Sequence, residues 1–236
     1  MGHNNFFQFK QFRVVQEKSA MKVGTDGVLL GAWANLNGSA RVLDIGTGTG
    51  LLALMAAQRS EAIIDTVELE PDAASEALLN FQDSPWQARI CLSVGAFQKF
   101  NTMTRYDHII SNPPFFENSQ KSHDSKRTQA RHADSLSLKE LLEKSVTMLA
   151  ENGRVSLILP ADKEDRLHFL VDTMNLYITR FSRVASDKTK KPHRILTELS
   201  LFSTQLDEHD LFIRDSESGN YSDQYREMTN EFYLAF

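Results

Sequence analysis

The stretch Val42-Leu43-Asp44-Ile45-Gly46-Thr47-Gly48-Thr49-Gly50 restricts the fold of this chain more than any other. An apolar run leading straight into three alternating glycines describes a buried strand that enters a backbone turn. Without a Cβ, Gly46, Gly48 and Gly50 can take positive φ and bring N–H groups close to a bound molecule, while a helix starts at Leu51. The dinucleotide fingerprint requires Gly or Ala where this chain has Leu51, so pyrophosphate binding is disfavoured.

Two carboxylates flank the turn. Asp44 lies near the end of the first strand, and Glu68 ends the next apolar run, Ile63-Ile64-Asp65-Thr66-Val67-Glu68. A carboxylate there suits a pair of ribose hydroxyls, and an acidic cleft suits a cation better than a diphosphate. S-adenosylmethionine, a sulfonium bearing a ribose, meets both needs. The plain alternative is a tight βα connection with no ligand.

A further strand, Tyr106-Asp107-His108-Ile109-Ile110-Ser111, delivers Asn112-Pro113-Pro114-Phe115 at its carboxyl end, where ligands of open α/β sheets collect. The nitrogen of an exocyclic base amine or an amide is a poor nucleophile, because its lone pair is delocalised. Two hydrogen-bond acceptors localise that pair. The Asn112 side-chain oxygen and the Pro113 carbonyl can each take one amino proton, the two prolines stiffen the turn, and Phe115 can stack on a flat ring.

These motifs resemble the class I S-adenosylmethionine-dependent methyltransferases of the N-P-P-[YF] type. The resemblance extends through Phe9-Lys10-Gln11-Phe12, Gln16, the run from Ala20 to Trp33, and the ending Tyr221-Ser222-Asp223-Gln224-Tyr225-Arg226 to Phe232-Tyr233. Over nearly the whole chain it is similar to the bacterial tRNA valine adenine N6-methyltransferases. This implies a Rossmann-like fold with a seven-stranded, mostly parallel sheet, one antiparallel strand and helices on both faces. It also implies methyl transfer to the N6 amine of the adenosine at position 37 of a valine tRNA, with S-adenosylhomocysteine as product. Thr25 and Asp26 are placed near the cofactor on the same resemblance. One position departs from it: many relatives carry an Asp that meets the cofactor adenine where this chain has Ala96. Adenine recognition would then rest on backbone groups or apolar stacking.

The length, 236 residues with 41% hydrophobic content, suits one globular domain, with residues 1–38 as a cap over the cofactor site and 39–236 as the catalytic core. No signal pattern or membrane-length apolar run is present, and a lone cysteine, Cys91, permits no internal disulfide, so a cytoplasmic setting is expected. Cys91 is expected as buried filler in the strand Ile90 to Val94. The seven histidines form no metal-ligand pattern, no metal is expected, and no G-x-S-x-G elbow appears.

Strands and helices alternate after residue 39, the pattern of a parallel sheet covered on both faces. Pro71 and Asp72 open a helix to about Asn80, Ser137 and Glu140 form a capping box, and Asp162 is expected to cap a helix through about Met174. The segments Tyr177 to Val184 and Ile195 to Ser203 read as a hairpin. Residues 117–134 read as a substrate loop.

The net charge of −5 argues against nucleic acid, but its distribution does not. Arg180 to Arg194 holds six basic residues and one acidic, whereas Asp207 to Glu231 holds eight acidic and two basic. Lys188, Lys190, Lys191 and Arg194 on the hairpin, with Arg127 and Arg131 after the catalytic turn, are candidate phosphate contacts. The partner expected is tRNA, with a splayed adenine as target and no obligate protein partner. The N-P-P-[YF] turn alone also admits a protein glutamine amide or guanine N2 of ribosomal RNA. A non-catalytic RNA-binding assembly factor is the reading from a different class.

Overall fold

The structure, a computed structural model, describes residues 5–113 and 136–236. A two-stranded antiparallel hairpin, β1 (Phe6–Gln8) and β2 (Arg13–Val15), precedes helix α1 (Thr25–Trp33). Two parallel βα steps and a third strand follow: β3 (Arg41–Ile45) and α2 (Leu51–Arg59), β4 (Ile63–Glu68) and α3 (Pro71–Gln82), then β5 (Ile90–Val94). The chain then crosses back to β6 (Tyr106–Ser111) and continues through α4 (Leu138–Met148), β7 (Leu149–Pro160), α5 (Glu164–Thr173), β8 (Tyr177–Ala185) and β9 (Arg194–Ser200). Short strands β10 (Asp207–Glu208) and β11 (Leu211–Phe212) and helix α6 (Asp223–Thr229) close it.

The central sheet runs β10-β8-β9-β7-β6-β3-β4-β5, with β11 also paired to β8. Seven of these strands form the Rossmann-like core, and β9 alone runs antiparallel to its neighbours. The expected seven become nine because β10 and β11, two residues each, add in parallel to β8. Strands so short show no alternation to read. Strand order reverses direction between β3 and β6, which opens a crevice at their carboxyl ends.

Each sheet face has its own apolar layer. One packs α1, α2, α6 and the amino-terminal hairpin, with Phe9, Leu29, Leu54, Ile64 and Phe232 among its buried residues. The other packs α4 and α5 through Leu142, Leu167 and Leu170. Helix α1 can approach α2 because a Cβ on Gly27 would sit 2.8 Å from Leu51, and one on Gly31 2.6 Å from Met55. The two ends of the chain meet: the Lys10 amide donates to the Phe232 carbonyl at 2.8 Å, beside stacked Phe9 and Tyr233.

The capping box forms as expected, with Ser137 and Glu140 exchanging hydrogen bonds. Two local expectations are corrected. Asp162 does not cap α5; residues 161–163 make a 3-10 turn and Lys163 is the capping position. Cys91 is exposed rather than buried, because β5 is the edge of the sheet and turns Cys91, Ser93 and Val94 outward. Among the described residues, no helix is long and apolar enough to cross a membrane.

Candidate active site

The carboxyl ends of β3, β4, β5 and β6, four adjacent strands, gather the glycine turn, Glu68, Ala96 and Asn112. After β3 the turn takes positive φ at all three glycines, 72° at Gly46, 55° at Gly48 and 84° at Gly50. Gly50 also lies against Phe81, where an added Cβ would come within 2.4 Å of the ring. Gly46, by contrast, faces open space. Hydrogen bonds from the Gly46 and Thr47 amides to the Val67 carbonyl, at 2.8 and 3.2 Å, tie the turn to β4.

Glu68 braces this turn. Its Oε2 accepts from the Gly48 amide at 2.8 Å and its Oε1 from the Glu70 amide at 2.9 Å, which leaves each oxygen a second acceptor site. Asp44 is fully buried; Thr47 Oγ1 donates to its Oδ2 at 2.5 Å, and its Oδ1 lies within hydrogen-bond geometry of no donor among the described residues. Burial pushes the Asp44 carboxyl up from 3.8 to about 7, with nearby Glu68 adding to the rise and the Thr47 hydrogen bond opposing it.

At the end of β6, Ser111 Oγ donates to the Ile45 carbonyl at 2.7 Å and fixes the two strand ends together. Asn112 follows, its Oδ1 buried and without a hydrogen-bond partner among the described residues, and Pro113 is buried beside it. An amide oxygen left this way costs about 1–3 kcal/mol unless a donor arrives. Pro114, Phe115, Arg127 and Arg131 lie outside the described residues, as does the expected substrate loop.

At the end of β5, Gly95 donates to the Glu68 carbonyl at 2.7 Å and presents open space at φ 146°. Ala96 follows it, and Leu69, just past Glu68 on the neighbouring strand, is 40% exposed. Leu69 was missed by sequence reasoning, although an apolar residue after the acidic strand end is the available signal. Also missed were Glu76 and Asn80 of α3, which hold the amino-terminal segment.

Asp26 lies in the first turn of α1 and pairs with Arg194 Nε at 2.8 Å. Because Arg194 opposes Pro160 at the end of β7, this pair places the start of α1, with Thr25, at the same edge of the sheet. Two expected roles, a cofactor residue and a phosphate contact, thus meet in one ion pair. Lys188 lies 3.7 Å from Glu217. Lys190 and Lys191 are exposed and form no ion pair among the described residues. Arg180 and Arg183 spend their charge inward: Arg180 pairs with Asp207 at 3.3 Å, and Arg183 with Glu208 at 2.6 Å and with Glu164. The separated charge blocks of the sequence therefore partly neutralise each other across β8 and β10.

A glycine turn between two buried carboxylates, beside an amide acceptor without a partner among the described residues at a strand-order switch, is compatible with methyl transfer. Residues 15–173 match the methyltransferase small domain family, and the chain belongs to it. Relatives over the full length narrow this. The tRNA1(Val) (adenine(37)-N6)-methyltransferase of Bacteroides fragilis is 44% identical over 232 residues, covering 97% of this chain and 98% of the relative. The enzyme of the same name from Aliivibrio fischeri is 43% identical over 229 residues, covering 97% of each. The chain therefore belongs to the tRNA1(Val) (adenine(37)-N6)-methyltransferase family. In fold it is similar to the predicted O-methyltransferase Atu636 from Agrobacterium tumefaciens, with a TM-score of 0.66 at 15% identity over 88% of this chain and 96% of that one.

Proposed function

We propose that this chain transfers a methyl group from S-adenosylmethionine to the N6 amine of adenosine 37 in tRNA1(Val). The names of its relatives supply the substrate, and the observation that carries the chemistry is the buried, unpartnered Asn112 Oδ1 beside the glycine turn.

The residues present fit the cofactor. The Asp44 carboxyl and the two free acceptor sites of Glu68 offer negative charge and hydroxyl acceptors, and Gly46 leaves room where a side chain would fill the cleft. Leu69, Gly95 and Ala96 offer an apolar and backbone surface for adenine in place of the missing acid. When bound, S-adenosylmethionine supplies an electrophilic methyl group. Thr25 and Asp26 sit at the rim, the latter holding Arg194.

Toward the substrate, Asn112 Oδ1 and the Pro113 carbonyl accept the two amino protons, which localises the nitrogen lone pair and orients it. Phe115 stacks the base and Pro114 stiffens the turn. No strong base is needed, because the amine sheds its proton to solvent only after it has gained the methyl group. The reading requires no metal and no protein partner, and places the enzyme in the cytoplasm with its tRNA.

The β8–β9 hairpin tip favours RNA over a glutamine amide. Residues 186–193 project from the edge that carries Asn112, three strand spacings away, or about 14 Å. Among the described residues Lys190 and Lys191 form no ion pair and Lys188 only a 3.7 Å one, which supports them as contacts for phosphates on either side of a splayed base, with Arg127 and Arg131 as further contacts.

The test supplies methyl-labelled S-adenosylmethionine with unmodified tRNA1(Val), ribosomal RNA and protein substrates, and identifies the labelled residue by mass spectrometry. N6-methyladenosine at position 37 is expected; label in glutamine or guanine would replace the substrate. Asn112→Ala should lower kcat at least 100-fold with the S-adenosylmethionine Kd within threefold, and retention of activity within threefold removes the acceptor role.

A further inference from the structure

Helix α3 carries a polar stripe that the reaction chemistry does not use. Glu76, Asn80 and Asp83 are spaced four and three residues apart and so share one helix face. Each reaches a different part of β2 or of the segment that follows it toward α1. Asp83 pairs with Arg13 at 3.1 Å. Asn80, 1% exposed, completes a strand-like pair with Val15, its Oδ1 accepting from the Val15 amide at 2.8 Å and its Nδ2 donating to the Val15 carbonyl at 2.9 Å. The same Nδ2 donates to the Thr49 carbonyl at 2.9 Å, inside the glycine turn.

Glu76, 2% exposed, accepts three consecutive amides: Glu17 at 2.5 Å and Lys18 at 2.7 Å on Oε2, and Ser19 at 3.0 Å on Oε1. A buried carboxylate is stable only when it is hydrogen-bonded, and here one loop supplies three donors from its backbone, two on Oε2 and one on Oε1. The loop is thereby pinned over the turn: Ser19 Oγ lies 3.7 Å from the position of a Cβ on Gly48. Ser19 Oγ in turn donates to the Met21 carbonyl at 3.1 Å, which carries the constraint toward α1.

We propose that Glu76 and Asn80 are positioning residues that hold loop 17–21 against the glycine turn as a fixed wall of the cofactor cleft. They set cofactor affinity without touching cofactor, substrate or the reacting atoms. This inference rests on the methyltransferase reading above. Its energetic sense is preorganisation: a wall already ordered in the free protein does not have to be ordered by the ligand.

The experiment compares wild type, Glu76→Gln, Asn80→Asp and Leu167→Ala, the last a destabilised control in the apolar layer on the opposite sheet face. Kd for S-adenosylmethionine and S-adenosylhomocysteine is measured by calorimetry, turnover at saturating cofactor, and amide exchange at residues 17–19. Glu76→Gln replaces one acceptor oxygen by a donor that opposes an amide; Asn80→Asp loses the donor to Val15 and Thr49 and turns an acceptor oxygen toward both carbonyls. The expected result is a cofactor Kd at least tenfold weaker in Glu76→Gln and at least threefold weaker in Asn80→Asp. Turnover at saturation should stay within threefold, exchange at 17–19 should be faster, and Leu167→Ala should keep the wild-type Kd. Unchanged Kd in both α3 variants, or an equal Kd loss in Leu167→Ala, overturns the inference while leaving the methyltransferase reading intact. A wild-type protein that binds neither cofactor form overturns that reading, and the inference with it.

Discussion

Asp44→Asn should make the cofactor-free protein more stable above neutral pH and leave it unchanged near pH 4. Asp44 is completely buried, and its pKa rises from 3.8 to about 7 in the folded protein. Between those values the folded state keeps a proton that the unfolded chain has released, so unfolding becomes easier as pH rises. The stabilisation due to that proton is fully present below 3.8 and is lost by the time pH passes about 7. Three pKa units at about 1.4 kcal/mol each set a ceiling of about 4 kcal/mol. Asparagine is neutral throughout and keeps an oxygen for the Thr47 hydroxyl, so the variant lacks this pH slope. The check is urea denaturation of both proteins without cofactor at several pH values from 4 to 8. The stability difference between the two cancels the other titrating groups. It should grow from near zero to about 1–4 kcal/mol in favour of Asp44→Asn, and the variant should bind S-adenosylmethionine more weakly. A difference independent of pH, or a variant less stable at pH 8, would refute the placement of a strained carboxylate in this cleft.

Gly50→Ala should cost about 2–4 kcal/mol in the same assay, combining a left-handed backbone with a Cβ inside van der Waals range of Phe81; a loss under about 1 kcal/mol would show that the turn can relax. Lys190→Glu with Lys191→Glu should weaken tRNA binding most at low salt and reduce the slope of log K against log salt by about 1 to 2. Equal slopes for variant and wild type would take both lysines off the phosphate surface.

The candidate site reads from the sequence because its motifs are local. Three glycines, Asp44, Glu68 and Asn112 each sit at a strand end that hydrophobic periodicity alone can locate, and the parallel topology then brings those ends together. What the chain concealed depends on partners distant in sequence. Glu76 looks like an ordinary polar position on an exposed helix face until residues 17–19 donate to it. Arg180 and Arg183 read as part of a basic surface, yet Asp207 and Glu208, on a two-residue strand, occupy them. Cys91 lies in an apolar run and still faces outward, because nothing in that run states that its strand is the last in the sheet.

The hidden partnerships and the visible motifs serve one electrostatic end. Asp44 and Glu68 concentrate acceptors in a cleft whose free-state cost appears as the raised Asp44 pKa and the empty acceptor at Oδ1. A cation entering that cleft relieves both, and it drives Asp44 toward its ionised form, so binding of a cationic cofactor releases a proton below about pH 7 and tightens as pH rises toward that value. The sulfonium is lost when the methyl group leaves, and the neutral thioether of the product no longer contributes that charge. The same carboxylate that destabilises the empty protein thus favours substrate cofactor over product, and the preference of S-adenosylmethionine over S-adenosylhomocysteine should be smaller in Asp44→Asn than in wild type at pH 8. Calorimetric titration of both ligands into both proteins measures it, and an undiminished preference would mean that Asp44 acts through the shape of the turn rather than through its charge.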